Sequence, residues 1–546
     1  MAFTIKFKDG RYVTGESPIS GRVAAAELNI QVDGVVAWRV NNYARPLEWT
    51  VEDDTDAEFI TTRSEEGLWI YRRSLDFVFT IACAHALGRK AILRHSIGEG
   101  HYWEFEDGDA TQSDAYRLHA AISELVNQNV PIIRKLLPVD KAQRVFEEQG
   151  EPEIAELFVR ANLDPVEVYR CGTRYGYFCA TLAPSTGILK YFDIAQFSHG
   201  IMLQFPTEES PDSALPFRAD TRLGDVFFDF ARWLKVLNLN YLSNLHQQVA
   251  EGRSQELILI SEAFHSQRLG QIAESIVANP LIKVVTIAGP SGSGKTTFSE
   301  RLKIQLMVCG KKPVTLPLDN YYLERDQTPI DENGDYDYEI LEALDLRLLE
   351  SNLTGILRGE EVVTPVYNFA LGKKDPGKHI KLGADEILIM EGIHGLNDKI
   401  LTMLPDDSRF SVFVSPLTGI CIDPHNRTST SDNRLLRRII RDHRTRGKSA
   451  ETTLEIYPKV IKGARRYIFP FQNRADMMFN SALPYELGAL KSYVEPVLHT
   501  VRENSPMFGE AQRLLNILKF VPAIQSEGIP NNSVIREFIG GSCLDV

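Results

Sequence analysis

The sequence predicts a multidomain protein of mixed α+β and α/β class, and three observations carry that reading. A length of 546 residues exceeds what one hydrophobic core organises, so about three or four domains are expected. A glycine-rich loop, Gly289-Pro-Ser-Gly-Ser-Gly-Lys-Thr296, stands between an apolar run and a helical pattern. From about Leu281 to Lys491, short apolar runs alternate with helical stretches, the pattern of a parallel sheet with crossover helices.

In chain order, residues 1–62 read as a small β-rich module. Phe3 to Phe7 alternates, Asp9-Gly10 turns the chain, Val35 to Val40 is a second strand, and Asn41-Asn42 offers its turn. Residues 63–206 mix helices, such as Ala115 to Ile133, with strands, such as Gly176 to Leu182. A polar loop, Thr207 to Ser213, opens the stretch 207–280. From Asp225 to Ala278 its apolar residues recur at i, i+3 and i+4, so it reads as a helical connector that packs or supports a homo-oligomer. The α/β domain spans 281–492. A tail, 493–546, mixes apolar residues and glycine between Ile529 and Ser542. The tail can pack beside the α/β domain near its site, and no chemistry is read from it.

Composition narrows the function. With 43% hydrophobic and 24% charged residues the chain is of ordinary globular make-up. A formal charge of -13 argues against a general nucleic-acid binder, while leaving a local basic site open. No apolar run approaches the ~20 residues of a membrane span. The start MAFTIKFKDG lacks a basic stretch followed by an apolar one, so no signal peptide is read. Six scattered cysteines, with no CxxC pair, suit free thiols in a reducing cytoplasm. Cys83 and His85 read as core residues.

Lys283 to Ala288 suits a buried strand, the glycine loop follows at once, and Phe298 to Leu306 is helical. Strand, loop and helix form the setting of an ATP-binding phosphate loop. Its set is Gly289, Ser291, Gly292, Ser293, Gly294, Lys295, Thr296 and Thr297. Glycines let backbone N–H groups wrap phosphates, and the helix N-terminus adds its positive dipole end. Lys295 is expected to reach the β- and γ-phosphates, and Thr296 to ligate Mg²⁺. Ile387 to Met390 is a second buried strand ending at Glu391, where a carboxylate faces the ligand crevice and can hold Mg²⁺ directly or through water. Val314 to Leu318 ends at Asp319, placed to take the proton of an attacking hydroxyl or, more plainly, to form a turn. Arg434, Arg437, Arg438 and Arg441 recur at helical spacing opposite Leu435, Leu436, Ile439 and Ile440. Such a run is either a solvated face or a lid whose cations close over a transferring phosphoryl group.

These residues together resemble the uridine kinase family, within the phosphoribulokinase/uridine kinase group, over roughly residues 281–480. The carrying segments are RLLRRIIRDHRTRGK, LPLDNYY and EGIHGL. The resemblance implies a P-loop kinase with a parallel sheet, using ATP and Mg²⁺ to phosphorylate a nucleoside 5′-hydroxyl, with uridine and cytidine leading. It makes Asp319 the general base, places Asp337 and Arg438 on the ribose hydroxyls, and sets Arg441, Arg446 and Lys448 near the phosphates. Tyr367 is retained as a residue that can stack on a base. The base-reading loop departs from the family at Asn368, Gly372 and Lys374, so another nucleoside or small alcohol stays open as acceptor.

The N-terminal half carries resemblances of its own. Residues 1–62, through VVAWRVNNYARPL, resemble a TGS domain of β-grasp fold. Residues 63–206 resemble the second, editing-type domain of threonyl-tRNA synthetase. Where that domain carries two metal-binding pairs, this chain has Arg73 and Phe77, then Cys179 and Ala183, so neither a metal nor editing hydrolysis is expected. RNA binding or a regulatory role through this half stays open beside a scaffold role.

Overall fold

The computed structural model describes residues 2–31, 33–217, 221–332 and 334–546. Contacts divide the chain into two units. One comprises residues 1–252, 419–429 and 498–523; the other comprises 253–418, 430–497 and 524–546. Among the described residues, no helix is long and apolar enough to cross a membrane. All six cysteines are free, and Cys543 alone is exposed.

The first unit opens with a five-stranded sheet ordered Tyr12–Gly15, Phe3–Phe7, Thr55–Thr61, Val35–Val40, Tyr43–Arg45. Alternation in the first strand buries Phe3, Ile5 and Phe7 against Val13 and Trp38. Asn41 and Asn42 both take positive φ, 47° and 62°, the turn whose twist matches a two-residue hairpin. Glu65–Ala82, capped by Ser64, then packs Leu75, Val78 and Phe79 on a four-stranded antiparallel sheet built from residues 91–105 and 193–204.

Three local expectations are corrected here. The helix read from Ala115 to Ile133 spans Gln112–Gln128, because Thr111 and Asp114 cap its start and Asn129 turns left-handed at its end. The strand read from Gly176 to Leu182 ends at Gly176. Beyond it, Phe178 and Leu182 are buried in a cluster with Phe77 and Ile132 without joining a ladder. Cys83 is buried, but His85 is exposed, since the intervening backbone winds as a π-helical turn. Segment 419–429 also belongs to this unit: Ile420, Cys421 and Ile422 are buried, Cys421 N–H donates to Asn240 O, and Asn426 Nδ2 donates to Tyr177 O.

The second unit begins with α1 (Ser254–Ala278), so the helical stretch after residue 221 is shared between the units. Then follow β1 (Val284–Ala288), α2 (Lys295–Val308), β2 (Lys312–Pro317) and α3 (Leu346–Leu357). A hairpin, β3 (Val362–Asn368) and β4 (Lys373–Ile380), precedes β5 (Glu386–Glu391) and β6 (Arg409–Ser415). The arginine-rich α4 (Thr430–Arg446), a helix over Ala450–Tyr467, β7 (Met477–Asn480), a helix over Glu486–Leu498 and a short tail helix α5 (Arg536–Ile539) follow.

The five strands β2-β5-β1-β6-β7 form one wholly parallel sheet. Every residue of β1 is buried, as a strand covered on both faces requires. On one face, Ile272 and Ile276 of α1 and Phe298 and Leu302 of α2 pack on Val285, Ile287 and Ile389. On the other, Leu349 and Leu353 of α3 join Leu316, Leu388 and Met390. The chain leaves β1 for the edge strand β2 and returns through β5, so the carboxyl end of β1 is the switch point where a crevice opens.

Candidate active site

The loop after β1 fills that switch point. Gly289 has no room for a side chain, since a Cβ would fall 2.1 Å from Val414 O. Gly292 and Gly294 hold φ of 77° and 81°, which side-chain-bearing residues rarely adopt. In a phosphate loop such turns let backbone N–H groups and the start of the following helix face a bound anion. Thr296 is exposed and Thr297 is buried. Ser481, just after β7, donates its hydroxyl to Ser293 O at 2.5 Å and braces the loop from behind.

Three strand ends supply the ionisable groups. Lys295 Nζ lies 3.8 Å from Glu391 Oε1 at the end of β5. Burial raises the Glu391 carboxyl to about 7; Asp319 and Glu537 push the same way, against Lys295. Asp319, just past β2, is an exposed residue. Desolvation raises its pKa, and Lys295 and Arg446 pull it back. Lys295, Asp319, Glu391 and Arg446 therefore share one electrostatic neighbourhood.

The arginine helix departs from the solvated face that its charge run could have formed. Its arginine face is buried: Arg434 and Arg437 are fully enclosed, and Arg438 nearly so. The opposing Leu435, Leu436, Ile439 and Ile440 are buried as well. The first part of α4 is thus not a solvated face; within the helix only residues 443–446 are exposed. Its cations are engaged. Arg434 Nε donates to Ser291 O at 2.9 Å, and Arg438 donates to Ser291 Oγ at 3.0 Å. Arg437 Nη2 donates to Glu486 Oε2 at 2.8 Å and Ser481 O at 2.9 Å, and its Nη1 donates to Gly292 O at 3.2 Å. Asp442 gathers Arg441 at 2.9 Å, Arg438 at 3.3 Å and Arg446 at 3.5 Å. Burial pushes the Asp442 carboxyl up, but the three guanidiniums outweigh it and hold the group below its ordinary value.

On the acceptor side, Asp337 is half-buried, and its carboxylate accepts from Glu339 N–H at 3.0 Å. Tyr367 is only 5% exposed, edge-on to Tyr322 and Phe369, so its ring is packed; Phe369 is 58% exposed. The three residues that depart from the family loop hold the hairpin itself. Asn368 Oδ1 accepts from Ala370 and Leu371 N–H, Gly372 turns with φ 68°, and Lys374 donates to Asp345 at 2.6 Å.

Sequence reasoning missed Asp442, Glu486, Glu339 and Glu537. Asp442 was within reach, lying four residues after Arg438 on one helix face. Glu339 is raised by burial against Arg438 and Arg434. Glu537 Oε2 accepts from Thr297 Oγ1 at 2.7 Å and from Thr297 N–H at 3.2 Å, across a separation that no local pattern signals.

Known proteins match this unit. The profile of the Phosphoribulokinase / Uridine kinase family matches residues 284–486. A uridine kinase of Halalkalibacterium halodurans is 30% identical over 196 residues, covering 36% of this chain and 84% of that protein. Uridine kinases of Schizosaccharomyces pombe and Halobacterium salinarum are 33% and 26% identical over 183 and 195 residues. These cover 33% and 36% of this chain, and 36% and 78% of the respective relatives. With a phosphate loop at the switch point of a parallel sheet and these relatives across it, the chain belongs to the phosphoribulokinase/uridine kinase family.

Proposed function

We propose that the chain transfers the γ-phosphoryl group of ATP to the 5′-hydroxyl of a nucleoside, uridine or cytidine foremost, giving the 5′-monophosphate and ADP. The observation that carries this reading is Asp319, an exposed aspartate between Lys295 and Arg446 beside the phosphate loop. Asp319 takes the proton of the acceptor hydroxyl. The oxygen attacks the γ-phosphorus in line, and the bond to the bridging oxygen breaks. Lys295, Arg441 and Arg446 stabilise the charge that spreads over the transferring group.

The exposed hydroxyl of Thr296 and the strand-end carboxylate of Glu391 are hard oxygen donors of the kind Mg²⁺ prefers, and these two residues would hold it. Bound there, the ion would neutralise phosphate charge. Asp337 and Arg438 hold the ribose hydroxyls in this reading. The packing of Tyr367 and the exposure of Phe369 favour Phe369 as the ring that meets the base.

The N-terminal half is read as a TGS-like β-grasp module over 1–62 and a threonyl-tRNA-synthetase-like region over 63–206. The five-stranded sheet with a short helix, Gly21–Glu27, supports the first assignment. Phe77 and Ala183 are buried in apolar clusters, so that region is assigned no editing chemistry. Six free thiols support a cytoplasmic setting.

The test is ATP consumption with Mg²⁺ across a panel of nucleosides and small alcohols, with product masses read. Uridine- or cytidine-dependent monophosphate supports the reading. Turnover only with another alcohol would retire the pyrimidine acceptor and keep the kinase, and silence across the panel would overturn both.

A further inference from the structure

The last stretch of the tail, residues 524–546, does more than cover the second unit. Its helix α5 lies on the phosphate loop and on α4. Val534 packs so near Gly294 that a Cβ there would fall 2.4 Å from Val534 Cγ2. Phe538 is fully buried, with the Arg437 guanidinium 4.9 Å from its ring centre. Arg444 donates to the carbonyls of Glu537 and Phe538, both at 3.0 Å. These anchors set the Glu537 carboxylate on Thr297, where it takes both the backbone N–H in the first turn of α2 and the side-chain hydroxyl.

Those two donors belong to the phosphate-binding loop. A helix start with free N–H groups favours anions of any kind, and a carboxylate satisfies it as a phosphate oxygen does. Two anions cannot accept the same two hydrogens. We propose that Glu537 is an internal competitor of the nucleotide, seated on Thr297 as a carboxylate stand-in for a phosphate group, and that ATP binds after this contact lets go.

The inference rests on the nucleotide reading above. While the tail is seated, the loop is not competent, so the apparent dissociation constant equals the intrinsic one divided by the competent fraction. A tail seated about nine-tenths of the time weakens nucleotide binding about tenfold.

The experiment is calorimetric titration of the full chain with Mg²⁺-ADP, which reads binding without phosphoryl transfer. Glu537→Ala should bind about tenfold tighter than the unaltered protein, with Glu537→Gln between them. Thermal unfolding of each variant establishes that it is folded, and Glu537→Gln stands in should the alanine variant fail. Unchanged or weaker ADP binding by a folded variant overturns the inference alone: Glu537 would then only cap α2 or belong to the nucleotide site. ADP binding by no form of the protein overturns the inference together with the reading beneath it.

Discussion

Asp319 and Glu391 sit at the ends of neighbouring strands, and both carboxyls are raised by desolvation against the same lysine. Their tasks differ, so their substitutions separate. Asp319→Asn removes the proton acceptor. It should lower kcat by about 10²- to 10⁴-fold while leaving Mg²⁺-ADP affinity within about twofold, checked by steady-state rates and titration. Glu391 must be ionised to ligate a cation, and its pKa is raised to about 7. Activity should therefore fall as pH drops through about 7, rather than through the ordinary carboxylate range, in a kcat/KM profile. Because Glu537 contributes to that rise, Glu537→Ala should move this limb to lower pH. Asp319 and Glu391 were legible because an acid at the end of an apolar run marks a crevice. Glu537 was not, since it meets Thr297 across 240 residues of sequence.

The arginine helix shows what spacing reveals at the scale of an element and what it hides. Helical periodicity placed Arg434, Arg437, Arg438 and Arg441 on one face, and the structure has them so. It did not reveal that the face is buried, because an acidic partner such as Glu486 comes from another element. Arg437 and Glu486 are almost fully enclosed, so removing one leaves a buried charge unpaired. Arg437→Ala should destabilise the unit by about 3–5 kcal/mol, read from denaturant unfolding. Arg446, half-exposed near the end of the same helix, contrasts with it. Arg446→Ala should change stability by less than about 0.5 kcal/mol while cutting kcat at least about tenfold. The β3–β4 hairpin teaches the same point. Asn368 and Lys374 looked like altered base-readers, but one builds the turn and the other pairs with Asp345. Residue identity alone could not separate recognition from architecture there.

For the whole molecule, the sequence suggested consecutive segments, whereas contacts define two units assembled from interleaved stretches. A break in composition marks where a pattern changes, but not where a segment docks. Residues 419–429 interrupt the family fold between β6 and α4, yet bury Cys421 and Ile422 in the first unit. Residues 498–523 add Leu514, Leu518 and Phe520 to it. Residues 1–252 expressed alone should therefore show low amide-exchange protection around Leu93, Asn240 and Tyr177, since in the intact chain residues 419–429 donate to all three carbonyls and Pro424 O accepts from Leu93 N–H. Uniform protection equal to that of the full chain would contradict this. The exposed thiol of Cys543 has a practical use. It stands just past Gly540 and Gly541, with φ of 94° and 76°, while the other five thiols are buried or half-buried. A dye attached at Cys543 would sit on the moving end of the tail, so the protein carries its own handle for watching a single molecule unlatch as nucleotide is added.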